Sequence, residues 1–367
     1  MADIAQDFLK GVGRQELTIE ISVSNSCNKR CKYCFEQKSG CLDRKTGHYD
    51  EDRLLKLLVG KCEDVKNGQY SSLQISFWGG EPFLNEDLME RIVQYTSPYG
   101  FVRYHVYTNG TVTDRTLKFL QSESILKIKD RMSIQVSYDG EPHNSLQRGY
   151  GYSEIESVVD QLEKLGYEWG FKPTLSLDCV GHFSEMWDSF AKLHGKYPHI
   201  KFSPTIDTTK CTDERFDEFR RQLMRIAHRE MSFYEENGDF LISWFTDRSK
   251  RTCNVNDHVF IDYDGNTYTC HGCPYLEDSD RFRGKNIAEI ENLDECIGFG
   301  YDIHRPLECV QCEAKYCSVC FCTKIGTSDI KKDWGASATR DSTLCKYHKL
   351  IGKVINILDY AMITGNF

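Results

Sequence analysis

The sequence predicts an α/β fold: a partial (β/α)6 TIM-like barrel followed by a small cysteine-rich C-terminal domain. Three observations carry this. From residue 17 to about 236 the apolar pattern alternates between strand and helix spacing, giving six strand–helix pairs in series, which imply a parallel sheet. Right-handed crossovers curl such a sheet into a barrel or part of one. After residue 240 the periodicity fades, and glycines, prolines and cysteines take over.

The elements follow in order. LTIEISVS (17–24) alternates as a strand, and EDRLLKLLVGKCEDVKNG (51–68) has helical spacing with a glycine at its end. LQISFW (73–78) precedes the helix EDLMERIVQYT (86–96), and VRYHVYT (102–108) precedes DRTLKFLQS (114–122). MSIQVSY (132–138) leads to YSEIESVVDQLEKLG (152–166), and FKPTLSLDCV (171–180) to SEMWDSFAKLHGK (184–196). The sixth pair is IKFSPTID (200–207) and a long helix over 213–238. That helix places Phe216, Phe219, Leu223, Ile226 and Phe233 on one stripe, a face for packing on the barrel. A final amphipathic helix spans 346–363. The expected divisions are an N-terminal extension (1–16), the barrel (17–238), a metal-stapled domain (239–345) and a C-terminal helix (346–367). Metal clusters substitute for a hydrophobic core where a domain is small.

Composition narrows the function. The 367 residues are 40% hydrophobic and 28% charged, with net charge -9. An acidic chain argues against nucleic acid as the main partner. No apolar run is long enough to span a bilayer. The start, MADIAQDFLKGVGRQE, lacks the basic and apolar regions of a secretory signal, so a cytoplasmic location is expected. In that reducing compartment the 17 cysteines are thiols or metal ligands rather than disulfides. Three lie at 27–34 and ten between Cys253 and Cys345, which implies two separate metal regions. Cys41, Cys62, Cys179 and Cys211 fall elsewhere and read as incidental thiols.

The unusual residues sit at consecutive strand ends, the face where parallel barrels build their sites. Cys27, Cys31 and Cys34 follow the first strand, Gly79-Gly80-Glu81-Pro82 the second, and Thr108-Asn109-Gly110 the third. Ser137-Tyr138-Asp139-Gly140 and then Arg148 follow the fourth. Three thiolates cannot fill four coordination positions, so the triplet suggests a cluster with one iron open to another ligand.

With its C-x3-C-aromatic-C run at Cys27, Cys31, Tyr33 and Cys34, and with the GGEP run, the chain resembles radical SAM enzymes. The resemblance implies that the three cysteines hold a 4Fe–4S cluster whose fourth iron takes the amino and carboxylate groups of S-adenosylmethionine (SAM). It implies that the backbone of Gly79, Gly80, Glu81 and Pro82 meets the methionine amino group, and that Ser137 and Asp139 hold the ribose or methionine part. Tyr33 is expected near adenine. Arg148 is either a partner for the methionine carboxylate or a surface ion pair, and Asn109 is either a site residue or a turn residue.

The second cysteine region resembles the SPASM extension of that family, which binds two auxiliary 4Fe–4S clusters. Cys253, Gly265 and Cys270 fit its first half, and Cys309-x2-Cys312 its middle. The spacing through Cys317, Cys320 and Cys322 departs from the family pattern. The resemblance gives the outer cluster Cys309, Cys312, Cys317 and Cys345. It gives the inner one Cys253, Cys270 and either Cys320 or Cys322, with Cys273 as a candidate fourth ligand. Zinc is the rival occupant. In sulfatase-maturing relatives an aspartate follows the G-x4-C cysteine as the proposed base. Here that position is His271, which leaves proton transfer, iron ligation or packing as readings.

The resemblance further implies a 5'-deoxyadenosyl radical that takes hydrogen from a peptide or protein side chain. With spare clusters to accept an electron, a net oxidation is expected: a crosslink, thioether or dehydrogenation. Only about sixteen residues precede the first strand, so a separate leader-binding protein is one expected way of presenting a peptide. A flavodoxin- or ferredoxin-type reductant is the expected electron source. Two alternatives stay open, a small-metabolite substrate and a non-catalytic iron–sulfur electron-transfer protein.

Overall fold

The computed structural model describes residues 16–42, 48–207, 212–246, 257–275, 279–296 and 343–364. Its strands are β1 Glu16–Ser24, β2 Ser72–Gly79, β3 Val102–Thr108, β4 Met132–Val136, β5 Glu168–Phe171, β6 Thr174–Ser176, β7 Thr205–Asp207, β8 His258–Ile261, β9 Asn266–Tyr268 and β10 Arg283–Asn286. Eight of them form one sheet in the order β10-β9-β8-β1-β2-β3-β4-β5. From β8 to β5 every pairing is parallel, while β9 and β10 add antiparallel. β6 and β7 pair separately. The result is a partial barrel, since β5 and β6 do not share a sheet.

The helices are α1 Phe35–Lys38, α2 Glu51–Lys66, α3 Glu86–Thr96, α4 Thr113–Gln121, α5 Glu123–Leu126, α6 His143–Gln147, α7 Glu156–Leu165, α8 Phe183–Lys196, α9 Asp213–Asn237 and α10 Thr343–Thr364. Local chemistry sets their ends. Asp50 accepts the Asp52 and Arg53 N–H groups to start α2, and Thr212 accepts from Arg215 to start α9. Gly238 ends α9 at φ 74°, a left-handed position that favours glycine.

Alternation in the strands sorts two faces. Leu17, Ile19, Ile21 and Val23 of β1 are wholly buried and join Ile75, Phe77, Val106 and Ile134 in one core with the helices. The opposite face carries Glu20, Ser22, Gln74, Ser76, Trp78, His105, Tyr107 and Ser133. A closed barrel fills its interior with branched apolar side chains. A polar inner face instead leaves the interior to a ligand.

Two expected elements differ. The strand expected over 171–180 is broken: β5 ends at Phe171, β6 spans only Thr174–Ser176, and 177–182 is a 3-10 helix. The last rung to β4 is Lys172 N–H to Val136 O; the next N–H on that side, from Thr174, goes to the Asp139 carboxylate, and Pro173 faces away from β4. The Pro173 carbonyl accepts from Thr205, drawing the chain over to β7. The strand expected over 200–207 shrinks to Thr205–Asp207, with Phe202 bridging Ile242. The stripe on α9 packs as expected. Phe219, Leu223 and Ile226 are fully buried, and Tyr347 of α10 lies 4.8 Å from the Phe219 ring.

Glu230 of α9 carries a pH-dependent share of stability. Its carboxylate accepts from Trp187 Nε1 and from the N–H groups of Leu241 and Ile242. Burial pushes its pKa from 4.5 up to about 7. The folded state therefore holds this proton more tightly than the unfolded chain. The contribution is complete below about pH 4.5 and is lost as pH rises through about 7. Between about pH 5 and pH 8 the protein is expected to lose ~2–3 kcal/mol through this group. Glu230→Gln should flatten that slope, as read by urea unfolding at both pH values.

Candidate functional site

β1 runs out into the cysteine loop, and the glycine loop after β2 lies against it. Gly80 N–H donates to Ser24 O at 2.9 Å, and Glu81 N–H to Ser26 O at 2.8 Å. The approach leaves no room for side chains. A Cβ on Gly79 would sit 2.1 Å from Ser24 O, and one on Gly80 would sit 2.4 Å from Ser26 O. Gly79 also has φ 125°. With the Gly80 N–H engaged, its remaining backbone polar group is the carbonyl, the acceptor that an ammonium group requires. Gly79→Ala is expected to cost ~2–4 kcal/mol and to weaken SAM binding, measured by thermal denaturation and equilibrium dialysis.

Glu81 turns inward. Its wholly buried carboxylate accepts from Thr108 Oγ1 at 2.7 Å and from the N–H groups of Asn109 and Phe83 at 2.8 and 3.2 Å. It thereby ties the end of β2 to the end of β3, and burial pushes its pKa to about 7. Asn109 in turn donates to Asn28 Oδ1 at 2.8 Å and lies 3.8 Å from Cys27 Sγ. Ser137 is half-buried, and its N–H donates to Thr108 O at 2.7 Å.

Asp139 and Arg148 form a buried pair at 2.9 Å. The surface ion pair left open for Arg148 is thus excluded: the side chain is 8% exposed. Asp139 also accepts from Tyr33 Oη at 2.6 Å and from Thr174 N–H at 2.7 Å. The guanidinium lies 5.2 Å from the Tyr33 ring centroid. Arg148 Nε has no hydrogen-bond partner among the described residues. A buried guanidinium donor without an acceptor fits an incoming carboxylate.

Cys27, Cys31 and Cys34 are half-buried thiols. Burial, neighbouring carboxylates and mutual repulsion push Cys27 up to about 12 and Cys34 to about 11. Burial raises Cys31 too, against the pull of Arg148. Three thiols held this way call for a positive charge to deprotonate them, as a metal cluster does. Three cysteine thiols on one loop are a donor set that fits a cluster, in which each thiolate takes a different iron.

Of the second cysteine group, Cys270, Cys273, Cys296 and Cys345 are described; Cys253, Cys309, Cys312, Cys317, Cys320 and Cys322 lie outside the described residues. Cys270 and Cys273 are buried in one tight turn, with Cys273 N–H donating to Cys270 O at 3.0 Å. Gly272 N–H points at Cys270 Sγ at 3.4 Å. His271 reaches the inner face of the barrel. Its Nδ1 lies 2.7 Å from Glu20 Oε2, and its ring stacks on Trp78 at 4.2 Å. His258 approaches the same Glu20 oxygen at 3.1 Å. Burial opposes ionisation of Glu20, but the two imidazoles outweigh it and hold the carboxyl well below its usual range.

A model of the radical SAM superfamily matches residues 21–194. Those residues are a radical SAM domain. Among relatives of this chain, the cyclopropyl synthase TigE of Paramaledivibacter caminithermalis is 22% identical, over 92% of this chain and 74% of TigE. Human molybdenum cofactor biosynthesis protein 1 is 24% identical over 70% of this chain, which spans only 42% of the human protein. The solved structure of anSMEcpe with bound AdoMet and Cp18Cys peptide superposes with a TM-score of 0.64 at 18% identity, covering 94% of this chain and 99% of that one. This last likeness is one of fold. Among the described residues, no helix is long and apolar enough to cross a membrane.

Several site residues escaped the sequence reading. Tyr150 is buried and donates to Ser137 O at 2.6 Å and Asn109 O at 3.2 Å, bracing two rim loops. Glu20, Trp78, His105, Tyr107 and His258 line the inner face. For all of these but His258, which lies on β8, a signal existed: polar or half-polar residues at every second position of β1, β2 and β3, between buried apolar ones.

Proposed function

We propose that this radical SAM enzyme removes hydrogen from a peptide or protein side chain and yields an oxidised product. The observation that carries the reading is the single rim on which the thiol triplet, the glycine loop and the Asp139–Arg148 pair meet above a polar barrel interior. Cys27, Cys31 and Cys34 would hold a 4Fe–4S cluster. Gly79 to Pro82, Ser137, Arg148 and Tyr33 would hold SAM, with Asp139 and Asn109 fixing their positions. When bound, the cluster and SAM supply a 5'-deoxyadenosyl radical strong enough to take hydrogen from an unactivated carbon. The chain's part is to orient SAM, exclude water and aim the substrate.

Arg148 would take the methionine carboxylate through its unpartnered Nε, while Asp139 balances the buried charge. The inner-face residues Trp78, His105, Tyr107 and His271 would contact the substrate. Cys270, Cys273 and Cys345, with the cysteines at 253 and 309–322, would form auxiliary clusters that accept the electron left by a net oxidation. The abundant thiols suit a reducing, cytoplasmic setting.

Peptide modification is supported by the fold likeness to anSMEcpe, solved with a bound peptide, over nearly the whole chain. The molybdenum-cofactor relative favours a small-molecule substrate, over a shorter stretch. Product mass spectrometry separates the two. Incubated with SAM, dithionite and the peptides encoded beside its gene, the reconstituted enzyme is expected to give a peptide lighter by two hydrogens. Unchanged peptides, with SAM cleavage stimulated only by a nucleotide, would overturn the peptide reading.

A further inference from the structure

We propose that Glu36 is a positioning residue that couples the first cysteine loop to the second cysteine region. Glu36 lies two residues after Cys34, in the four-residue helix α1, and is only 5% exposed. Its neighbours Phe35 and Gln37 are exposed. A carboxylate turned inward from so short and open a segment needs partners to hold it there.

Glu36 Oε1 accepts from Trp78 Nε1 at 3.1 Å and from Tyr275 Oη at 2.9 Å. Trp78 is the residue before Gly79-Gly80, and Tyr275 is two residues after Cys273. One oxygen thus joins the cysteine loop, the glycine loop and the Cys270–Cys273 turn, across sequence separations of 42 and 239 residues. Ring contacts run beside these bonds. Phe35 lies 4.8 Å from Tyr275, and Trp78 stacks on His271 at 4.2 Å. Glu36, Gly80, Cys41 and Tyr275 also line a common cleft with Asp262 and Asp264 of the β8–β9 turn. Burial shared among three loops makes the carboxylate a joint rather than a local cap. Loosening it frees the cysteine loop from the turn that carries Cys270 and Cys273, and Trp78 from its fixed angle above the barrel interior.

The coupling is a property of the polypeptide; its consequence for chemistry rests on the proposed cluster at Cys27, Cys31 and Cys34. The test begins on the apoprotein by hydrogen–deuterium exchange of Glu36→Ala, Glu36→Gln and Tyr275→Phe. Glu36→Ala is expected to speed exchange about five- to tenfold in both 35–42 and 268–275, as loss of one or two hydrogen bonds would. Glu36→Gln, which keeps a carbonyl acceptor, should stay near wild type. Tyr275→Phe should speed exchange in 35–42, far from its own position in sequence. Changes confined to the substituted segment would overturn the proposal. Should Glu36→Ala fail to fold, Tyr275→Phe, which removes one hydroxyl, decides by the same criterion.

After reconstitution, the electron paramagnetic resonance spectrum of the reduced protein with SAM should change in Glu36→Ala and recover in Glu36→Gln. A wild type without any cluster signal would defeat the proposed function and leave the coupling standing. A wild-type signal indifferent to Glu36→Ala would defeat the positioning role.

Discussion

Replacing Cys27, Cys31 and Cys34 together by alanine is expected to abolish 5'-deoxyadenosine release from SAM under dithionite while the chain stays folded. The thiols are half-buried on a loop and add no side chain to the hydrophobic core. Gly80 and Glu81 keep their bonds to Ser24 and Ser26 without them. Folding should therefore change by only ~1 kcal/mol. Chemistry, in contrast, loses the site that carries it, and the iron content should fall by about four per chain. Cleavage of SAM at wild-type rate, or iron unchanged from wild type, would remove the triplet from the mechanism. Circular dichroism and thermal denaturation provide the folding control.

Asp139→Ala is expected to cause the largest loss of stability among the rim residues. Asp139 is wholly buried, and its carboxylate accepts from Tyr33, Arg148 and Thr174. Its removal strands a buried guanidinium, and breaking a buried pair in this way costs ~3–5 kcal/mol. The loops after β1 and β4 lose their joint at the same time, since Tyr33 belongs to one and Arg148 follows the other. SAM affinity should fall with stability. Asp139→Asn keeps the shape and one acceptor and should cost less in both. The comparison is made by urea unfolding and by equilibrium dialysis of SAM. An Asp139→Ala protein as stable as wild type would show that Arg148 finds another counter-charge.

The parts of the fold legible in the sequence were those where one physical demand dominates. β1 to β4 announce themselves because one face must be apolar at every second residue. The break between β5 and β6 is not legible because it lies inside a run of strand-like residues, and only the tertiary bond from Thr174 N–H to Asp139 shows where the ladder with β4 stops. β8 went unseen because it is four residues long, and its partner β1 lies more than two hundred residues away.

The rim was legible because its chemistry needs rare types, three thiols and two adjacent glycines, at strand ends. The direction in which Glu81 and Glu36 point was not, since an acidic loop residue reads as solvated until its donors are known. The inner face was missed for a related reason. Glu20 and His105 look like surface positions of a half-exposed strand, yet they face the interior, where His271 and His258 meet Glu20.

The proposed function rests on hydrogen transfer from a peptide side chain to the deoxyadenosyl group. It is tested most directly with peptides encoded beside the gene and deuterated at their side-chain carbons, by mass spectrometry of the 5'-deoxyadenosine formed. Deuterium is expected in that product, in step with a peptide that has lost two hydrogens. 5'-Deoxyadenosine free of deuterium, formed while the peptide is converted, would contradict it.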